Sequence, residues 1–479
     1  MLIEALPKVE ILTFKSPKEF GLARLAAYYR NCHYAVCEYS LGIKMMCEEL
    51  YRYAFAEVAG CLVCRDEYEG VVYFDYPIAR DETSDVEQAL EAIETYCMET
   101  DIPLRYTTLP PDVLGEICAR YDGTRVHKTY YCADYLYRVD DLRQFEGKKY
   151  AGQRNHIRRF RRNYPNAVFR PLTAEDAPAL DRFFERFDAA FQKKSADAVQ
   201  ERGASTELLR MGNGDLFRAG CLELDGEIIG VALGEKCGDT LVEHIEKALS
   251  AEYEGIYPTL LCEFVTAFGE DCTYVNREDD AAERGLRISK LQYQPVRIAQ
   301  KFDLDIENIL HTVSHIPTLR AERLTLNAIT EADADAYAAL CTDDVHNRWW
   351  GYDYRTDLSG GETPDGAYFC RVAREDFEAR RTVNFAVRWG DRMIGEVVLY
   401  RFDNRGGAEI GIRILPAYTG NGYGQEAAQT VINWALYGLG MTRVRAKCFR
   451  KNLASEKMLS AVMKRIGEDE TMLYFERIV

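Results

Sequence analysis

The chain has 479 residues, 47% of them hydrophobic and 29% charged, with a formal net charge of −17. That is ordinary globular composition, long enough for about three domains, and the acidic balance excludes binding of nucleic acid or anionic lipid over the whole surface. No apolar run reaches the ~18 residues of a membrane span, and the start, Met1 to Lys8, lacks the basic-then-apolar order of a signal peptide. The 15 cysteines are odd in number and irregular in spacing, as expected of free thiols in a cytoplasmic protein rather than of bridges in a secreted one. Cys61 and Cys64 have no turn or helix start beside them and read as buried thiols. His311 and His315 stand near no cysteine pair, so no metal site is expected.

In chain order, the first third alternates strand-like segments, such as 71–74, with helical patterning over 86–98, and ends in a strand-like run at 130–139. The texture then changes. Between Glu146 and Asn163, Lys148, Lys149, Arg154, Arg158, Arg159, Arg161 and Arg162 stand against one acid. Helical spacing turns Ile157, Phe160 and Tyr164 inward and leaves the basic residues, with His156, on the remaining arc. That arc suits phosphates, whether of RNA, a nucleotide or a lipid head; it equally suits a solvated face paired with acids elsewhere. A helix over 174–191 follows, then strands at 218–224, 228–234 and 241–248, a helix over 257–268 and a strand at 273–276.

Regular patterning breaks between Ile306 and Arg320, where His311, Ser314, His315 and Pro317 fall. The last third then repeats the middle order. Helices are expected over 331–342 and 366–379, strands over 383–389, 393–400 and 408–415, a helix over 425–437, a strand over 443–449, a helix over 453–465 and a closing strand over 472–478. The expected divisions are 1–145, 146–308, a linker at 309–317, and 318–479. Strands and helices in this order make an α/β (α+β) fold, with mixed central sheets flanked by helices.

The strand that ends in Ile412-Arg413-Ile414 leads through Thr419-Gly420-Asn421-Gly422-Tyr423-Gly424 into a helix whose apolar face carries Ala427, Val431 and Trp434. Glycines let backbone N–H groups approach a ligand closely, and a helix N-terminus favours an anion. The turn resembles the acyl-CoA-binding loop of the GNAT N-acetyltransferases, whose pattern is Gln/Arg-x-x-Gly-x-Gly/Ala. Gly422 and Gly424 match its last two fixed positions, and Thr419 replaces the Gln/Arg. Asn452-Leu453-Ala454-Ser455 and the opening 319–326 resemble the branch containing the ribosomal-protein N-terminal acetyltransferases. The resemblance implies direct acyl transfer from acetyl-CoA to an amine, a small molecule or a peptide N-terminus. Ile412, Ile414, Thr419, Gly420, Asn421, Gly422, Tyr423, Gly424 and Asn452 would bind the cofactor. Glu409 is the candidate base, or a solvated strand carboxylate; Asn452 can also be a helix N-cap. Where many members carry a tyrosine acid this chain has Leu459, which leaves Ser455 as the candidate acid. Trp349, Trp350, Tyr352 and Asp353 fall where acceptor-binding residues would lie.

The first two thirds resemble an uncharacterised bacterial family related to the C-terminal domain of phosphatidylglycerol lysyltransferase. The matching pieces are 148–160, 242–247, 253–257 and 275–279 with Gly285-Leu286-Arg287 and Lys290. That resemblance implies two fused GNAT-type folds, hence three such modules in the chain, and relatives that move an aminoacyl group from tRNA. His244, Glu246, Lys247, Asn276, Arg277 and Glu278 either line a pocket or form an internal salt-bridge network. The turn after 241–248 has one glycine, Gly255, between Glu252, Glu254 and the next helix. Carboxylates there would repel a pyrophosphate, so this half is expected not to hold coenzyme A in the usual way. The leading expectation is therefore an acetyltransferase fused to an aminoacyltransferase-like unit. A tRNA-binding or other phosphate-ligand module, or a non-catalytic scaffold, stands as the alternative.

Overall fold

The computed structural model describes residues 11–128, 132–190, 216–350 and 365–479, together with 203, 206–210 and 214. Among these residues the strands form three sheets, two of seven strands and one of eight, with helices packed on them. All 15 cysteines are free. No helix of the described residues is long and apolar enough to cross a membrane.

The chain separates into two compact units, one built mainly from 306–479 and the other mainly from 11–115 and 126–305. In the second of these, the strand Asp134–Arg138 pairs with Tyr274–Asn276 and Arg297–Ala299, inside the sheet that also holds Arg218–Leu224, Glu227–Cys237 and Thr240–Ala248. The later strand Phe302–Glu307 returns to pair with Arg105–Leu109 in the other sheet of this region. The chain thus exchanges strands on both sides of the division expected near 145.

The eight-stranded sheet repeats the order of the Arg218–Ala248 region. Thr325–Ala328, Val383–Trp389, Arg392–Tyr400 and Gly407–Ile414 run antiparallel in succession; a helix then crosses to Arg443–Phe449, which lies parallel to Gly407–Ile414. Its core is a continuous apolar layer under the sheet, in which Phe385, Val397, Val431, Ala435 and Phe475 are fully buried. The crossover helix starts earlier than its apolar pattern suggests, at Tyr423, and after Asn433 widens into a π turn over Trp434–Gly438.

One element departs from the sequence pattern. Apolar spacing through Val462 and Met463 reads as helix to about 465, yet the helix ends at Val462 and Lys464–Glu468 is an edge strand paired with Met472–Ile478. The turn between these strands decides the matter. The Asp469 carboxylate accepts from the Thr471 and Met472 N–H groups at 2.7 Å and from the Tyr474 hydroxyl at 2.6 Å, the local bonding by which Asp favours turns.

Candidate functional site

In the eight-stranded sheet, Gly407–Ile414 stays paired with Arg392–Tyr400 along most of its length, up to Ile414. Its parallel pairing with Arg443–Phe449 stops at Glu409↔Arg445, while Arg443–Phe449 keeps its other partner to Phe449. The two strands therefore splay apart beyond Glu409. The wedge carries a cavity of about 830 Å³ lined by Ile410, Gly411 and Ile412 on one side and Lys447, Cys448 and Phe449 on the other.

The glycine-rich turn stands at the end of the first of these strands. Gly420 and Gly422 both have φ +80°, and Gly422 is the N-cap of the helix Tyr423–Asn433. The backbone N–H groups of Gly420, Asn421, Gly422, Tyr423 and Gly424 find no acceptor among the described residues. The side chains of the turn bond locally instead: Thr419 Oγ1 donates to Pro416 O and Asn421 Nδ2 to Tyr418 O and Thr419 O. Gly424 allows close packing, since a Cβ there would meet Met458 Sδ at 3.1 Å. Ile412 and Ile414 lie beneath it, on the adjoining strand. Unspent amides at a helix N-terminus form an anion cradle.

Arg323 adds charge that the motif alone did not reveal. Its N–H groups donate to Glu426 and to Asn421 O, and its guanidinium lies 4.8 Å from the Tyr423 ring. Its nearest atom would stand 3.4 Å from a Cβ at Gly422. The residue sits inside the recognisable opening 319–326, but its reach to the turn comes from the sheet, not from spacing.

At the narrow end of the wedge, Glu409 is flanked by Arg401 (Nε to Oε1, 3.1 Å) and Lys447 (Nζ to Oε2, 3.2 Å), and accepts from the Tyr400 hydroxyl at 3.1 Å. Arg401, Lys447 and Tyr400 line the cavity; Glu409 stands behind them. Burial first, and then the Glu409 carboxylate, push the Tyr400 phenol far above its ordinary value. Burial also pushes the Cys448 thiol up to about 11, so a thiolate nucleophile is scarce in this cavity at neutral pH. Asn452 caps the helix Leu453–Val462 by accepting from the Ser455 N–H at 3.2 Å, and both side chains line the cavity, as does Leu459.

Trp349 and Trp350 line the same cavity; Tyr352 and Asp353 lie outside the described residues. Trp350 packs on Gly411, where a Cβ would meet its ring at 2.7 Å, and over the Arg413 guanidinium at 4.1 Å. Arg413 in turn pairs with Glu396. Glu396 is fully buried and also accepts from Tyr337 Oη at 2.6 Å and Asn384 Nδ2 at 2.7 Å.

The Arg218–Ala248 sheet has a second wedge, and it is filled. Thr240–Ala248 pairs with Tyr274–Asn276 only as far as Val242. Arg277 then bridges to Glu243 at 2.6 Å and to Glu246, with the Tyr293 ring 4.9 Å away. His244 is buried between Glu278 (2.8 Å) and Glu235 (3.1 Å), and Asn276 donates to Asp134 at 2.8 Å. Lys247 stands apart, over the Phe187 ring. Lys301 lies 2.6 Å from Glu38 and 2.7 Å from Asp134, so an ammonium occupies the position a metal would take beside Cys37, Glu38 and Asp134. Glu235, Asp134 and Lys301 come from distant parts of the chain, and no local pattern announced them.

The helix start in this sheet is closed as well. Gly255 caps the helix Ile256–Phe268 with φ +86°, but a Cβ there would meet His156 O at 2.4 Å. The basic helix Ala151–Asn163 thus packs over the mouth. Its charges are largely used within the fold: Arg159 pairs with Glu254, Arg161 with Glu263, Lys149 with Asp141, and Arg154 donates to Phe145 O and Gly147 O. Lys148 and Arg158 are exposed, with no partner among the described residues.

The buried groups of this network titrate unusually. Burial opposes charge on His244, but Glu235 and Glu278 outweigh it and raise its pKa to about 9. Burial raises Glu246 to about 8 and Glu38 to about 7. A folded-state pKa above the unfolded one contributes stability that is full below the unfolded value and lost as pH rises through the folded one. Stability is therefore expected to fall between pH 6.5 and 9, by on the order of 3 kcal/mol from His244 alone. Thermal unfolding of the full chain followed from pH 6 to pH 9 checks this. A transition attributable to residues 11–305 that is flat or rising over that range contradicts it.

Residues 323–467 match the acetyltransferase (GNAT) domain, and the protein is an acyltransferase. The chain belongs to the family described as phosphatidylglycerol lysyltransferase, C-terminal, which matches residues 29–304, more than half its length. It is similar to the uncharacterized N-acetyltransferase YoaA of Bacillus subtilis, 29% identical over 150 residues that cover 30% of this chain and 80% of that protein. The uncharacterized N-acetyltransferase p20 of Bacillus licheniformis is 28% identical over 146 residues, again 30% of this chain and 80% of its own length. A solved structure of a conserved protein of unknown function from Bacteroides thetaiotaomicron covers 62% of this chain and 100% of its own, with a TM-score of 0.56 and 25% identity.

Proposed function

We propose that the 318–479 region transfers an acetyl group from acetyl-CoA to a primary amine. The observation that carries this reading is the set of unspent amides at Gly420–Gly424, beside an open wedge in the sheet. Acetyl-CoA supplies the activated thioester when bound. The amides of the turn, reinforced by Arg323, hold its diphosphate; Asn452 and the edge of Gly407–Ile414 orient the arm in the wedge. Trp349 and Trp350 cover the acceptor end.

An amine arrives protonated and must lose a proton before it can attack. Arg401, Lys447 and Tyr400 all line the cavity and contact Glu409, but Tyr400 does so through a hydroxyl, which can give one proton to the carboxylate as it takes another. The amine proton passes to the Tyr400 oxygen as the phenolic proton passes to Glu409, so Glu409 serves as the base at one remove. The Ser455 hydroxyl lies on the cavity wall, where it can donate to the departing sulfur. Replacing Tyr400 with Phe is expected to lower kcat by about a hundredfold or more and to leave the KM for acetyl-CoA within about twofold, as read by thiol release with a panel of amines. An unchanged kcat removes Tyr400 from the proton path.

The 11–305 region is aminoacyltransferase-like in family, and we propose no coenzyme A site there. Its wedge holds Arg277 and its helix start is covered by His156.

A further inference from the structure

At the end of the Thr240–Ala248 strand farthest from Gly255, two cavities adjoin, of about 510 and 490 Å³. They share His33 and Asp239. Both are built from strand ends that the sheet topology brings together: Arg138 pairs with Tyr274, Tyr274 with Thr240, and Lys236 with Leu241. The wall between them is a fixed contact. Gly238, at φ +56°, donates to Arg30 O at 2.9 Å, and a Cβ there would meet Cys32 O and His33 Nδ1 at 2.7 Å.

The two chambers differ in chemistry. The first is lined by Arg30, Arg218 and Lys236, with Asn31 and Leu216. The second brings Ala35, Leu136, Val296 and Tyr274 together with Arg138, Arg297 and Asp112. The acids present are Asp239, Asp112 at 3.7 Å from Arg297, and Asp271 paired with Lys236, so five fixed cations face three carboxylates. On a chain of net charge −17 this is a local reversal of sign. The Arg138 guanidinium lies 5.5 Å from the Tyr274 ring centroid, and both an aromatic ring and an arginine offer a base a group to stack on. A cationic chamber joined to an aromatic one suits an anion with a planar, weakly polar end; a bare phosphate would fill only the first.

We propose that this groove binds a nucleoside phosphate, with its phosphates between Arg30, Arg218 and Lys236 and its base against Tyr274, Leu136 and Val296. The site is separate from the acetyltransferase cavity and independent of that reading.

The test is calorimetric titration of ADP into the full chain carrying Gly422→Val, which disables the diphosphate turn of the C-terminal region. If that turn holds nothing, the substitution is inert and the groove variants still decide. Adding Arg218→Glu and Lys236→Glu is expected to weaken ADP at least tenfold, with a cooperative thermal unfolding transition retained. Adding Tyr274→Leu instead is expected to weaken ADP severalfold while leaving the weaker binding of inorganic pyrophosphate as it was. No ADP binding, or equal binding in the charge-reversed chain, overturns the site. Pyrophosphate or glycerol 3-phosphate binding as tightly as ADP overturns the nucleoside assignment.

Discussion

Replacing Gly422 with Val is expected to weaken acetyl-CoA binding about a hundredfold. Gly422 sits at φ +80° as the N-cap of Tyr423–Asn433, a left-handed conformation that costs an L-residue on the order of 1–2 kcal/mol and a β-branched one more. To escape it the turn must rotate, and the amides of Asn421, Gly422 and Tyr423 then no longer converge. Each charge-assisted hydrogen bond lost is worth about 1.5–3 kcal/mol. A hundredfold change is about 2.8 kcal/mol, within the range of one such bond. The added side chain also approaches Arg323, whose nearest nitrogen would lie 3.4 Å from the new Cβ. Titration of the full chain with acetyl-CoA reads the effect, and affinity within threefold of the parent chain would show that this turn does not hold the diphosphate.

The substitution expected to cost most stability is Glu396→Ala. Glu396 is fully buried, Arg413 is 3% exposed, and the pair is tied to Tyr337 and Asn384. Removing the carboxylate takes from a buried guanidinium the counter-charge that Glu396 supplies, a change worth about 3–5 kcal/mol. Because Trp350 lies over that guanidinium, the same substitution is expected to loosen the acceptor end of the cavity. Urea unfolding that shows a loss below 1 kcal/mol would mean that Arg413 finds solvent or another partner. Glu396→Gln keeps one hydrogen bond to Asn384 or Tyr337 and should fall between the two.

Local chemistry made much of the fold class legible. The strands Val383–Trp389, Arg443–Phe449 and Met472–Ile478 have the bounds their alternation suggests, because turn residues frame the first two and precede the third. The glycine-rich turn was legible for the same reason: three glycines within five residues can be read without knowing the fold. The strand Lys464–Glu468 was not, since an Asp469 turn overrides apolar spacing that still looks helical. Residues held together across the sheet were also hidden. Arg323 reaches Glu426 over 103 positions, and Lys301 reaches Glu38 over 263. The basic helix illustrates the converse. Its charge density was plain in the sequence, but Glu254 and Glu263, which neutralise Arg159 and Arg161, lie about a hundred residues on.

The comparison of the two wedges ties these observations to function. Both arise where a parallel pairing stops short, after Glu409 in one sheet and after Val242 in the other. Arg277 fills one and the His156 backbone covers its helix start, while in the other Gly411 and Gly424 leave room for Trp350 and Met458 to pack closely. The Arg277 side chain and the His156 backbone, rather than topology, separate the filled wedge from the open one, and the open one is the cleft we propose for the thioester.

The most direct measurement is a crystal structure of the full chain grown with coenzyme A. The diphosphate oxygens should accept hydrogen bonds from main-chain N–H groups within Gly420–Gly424, with the pantetheine arm lying between Gly407–Ile414 and Arg443–Phe449. Coenzyme A lodged anywhere else, with those N–H groups left facing water, would contradict the assignment.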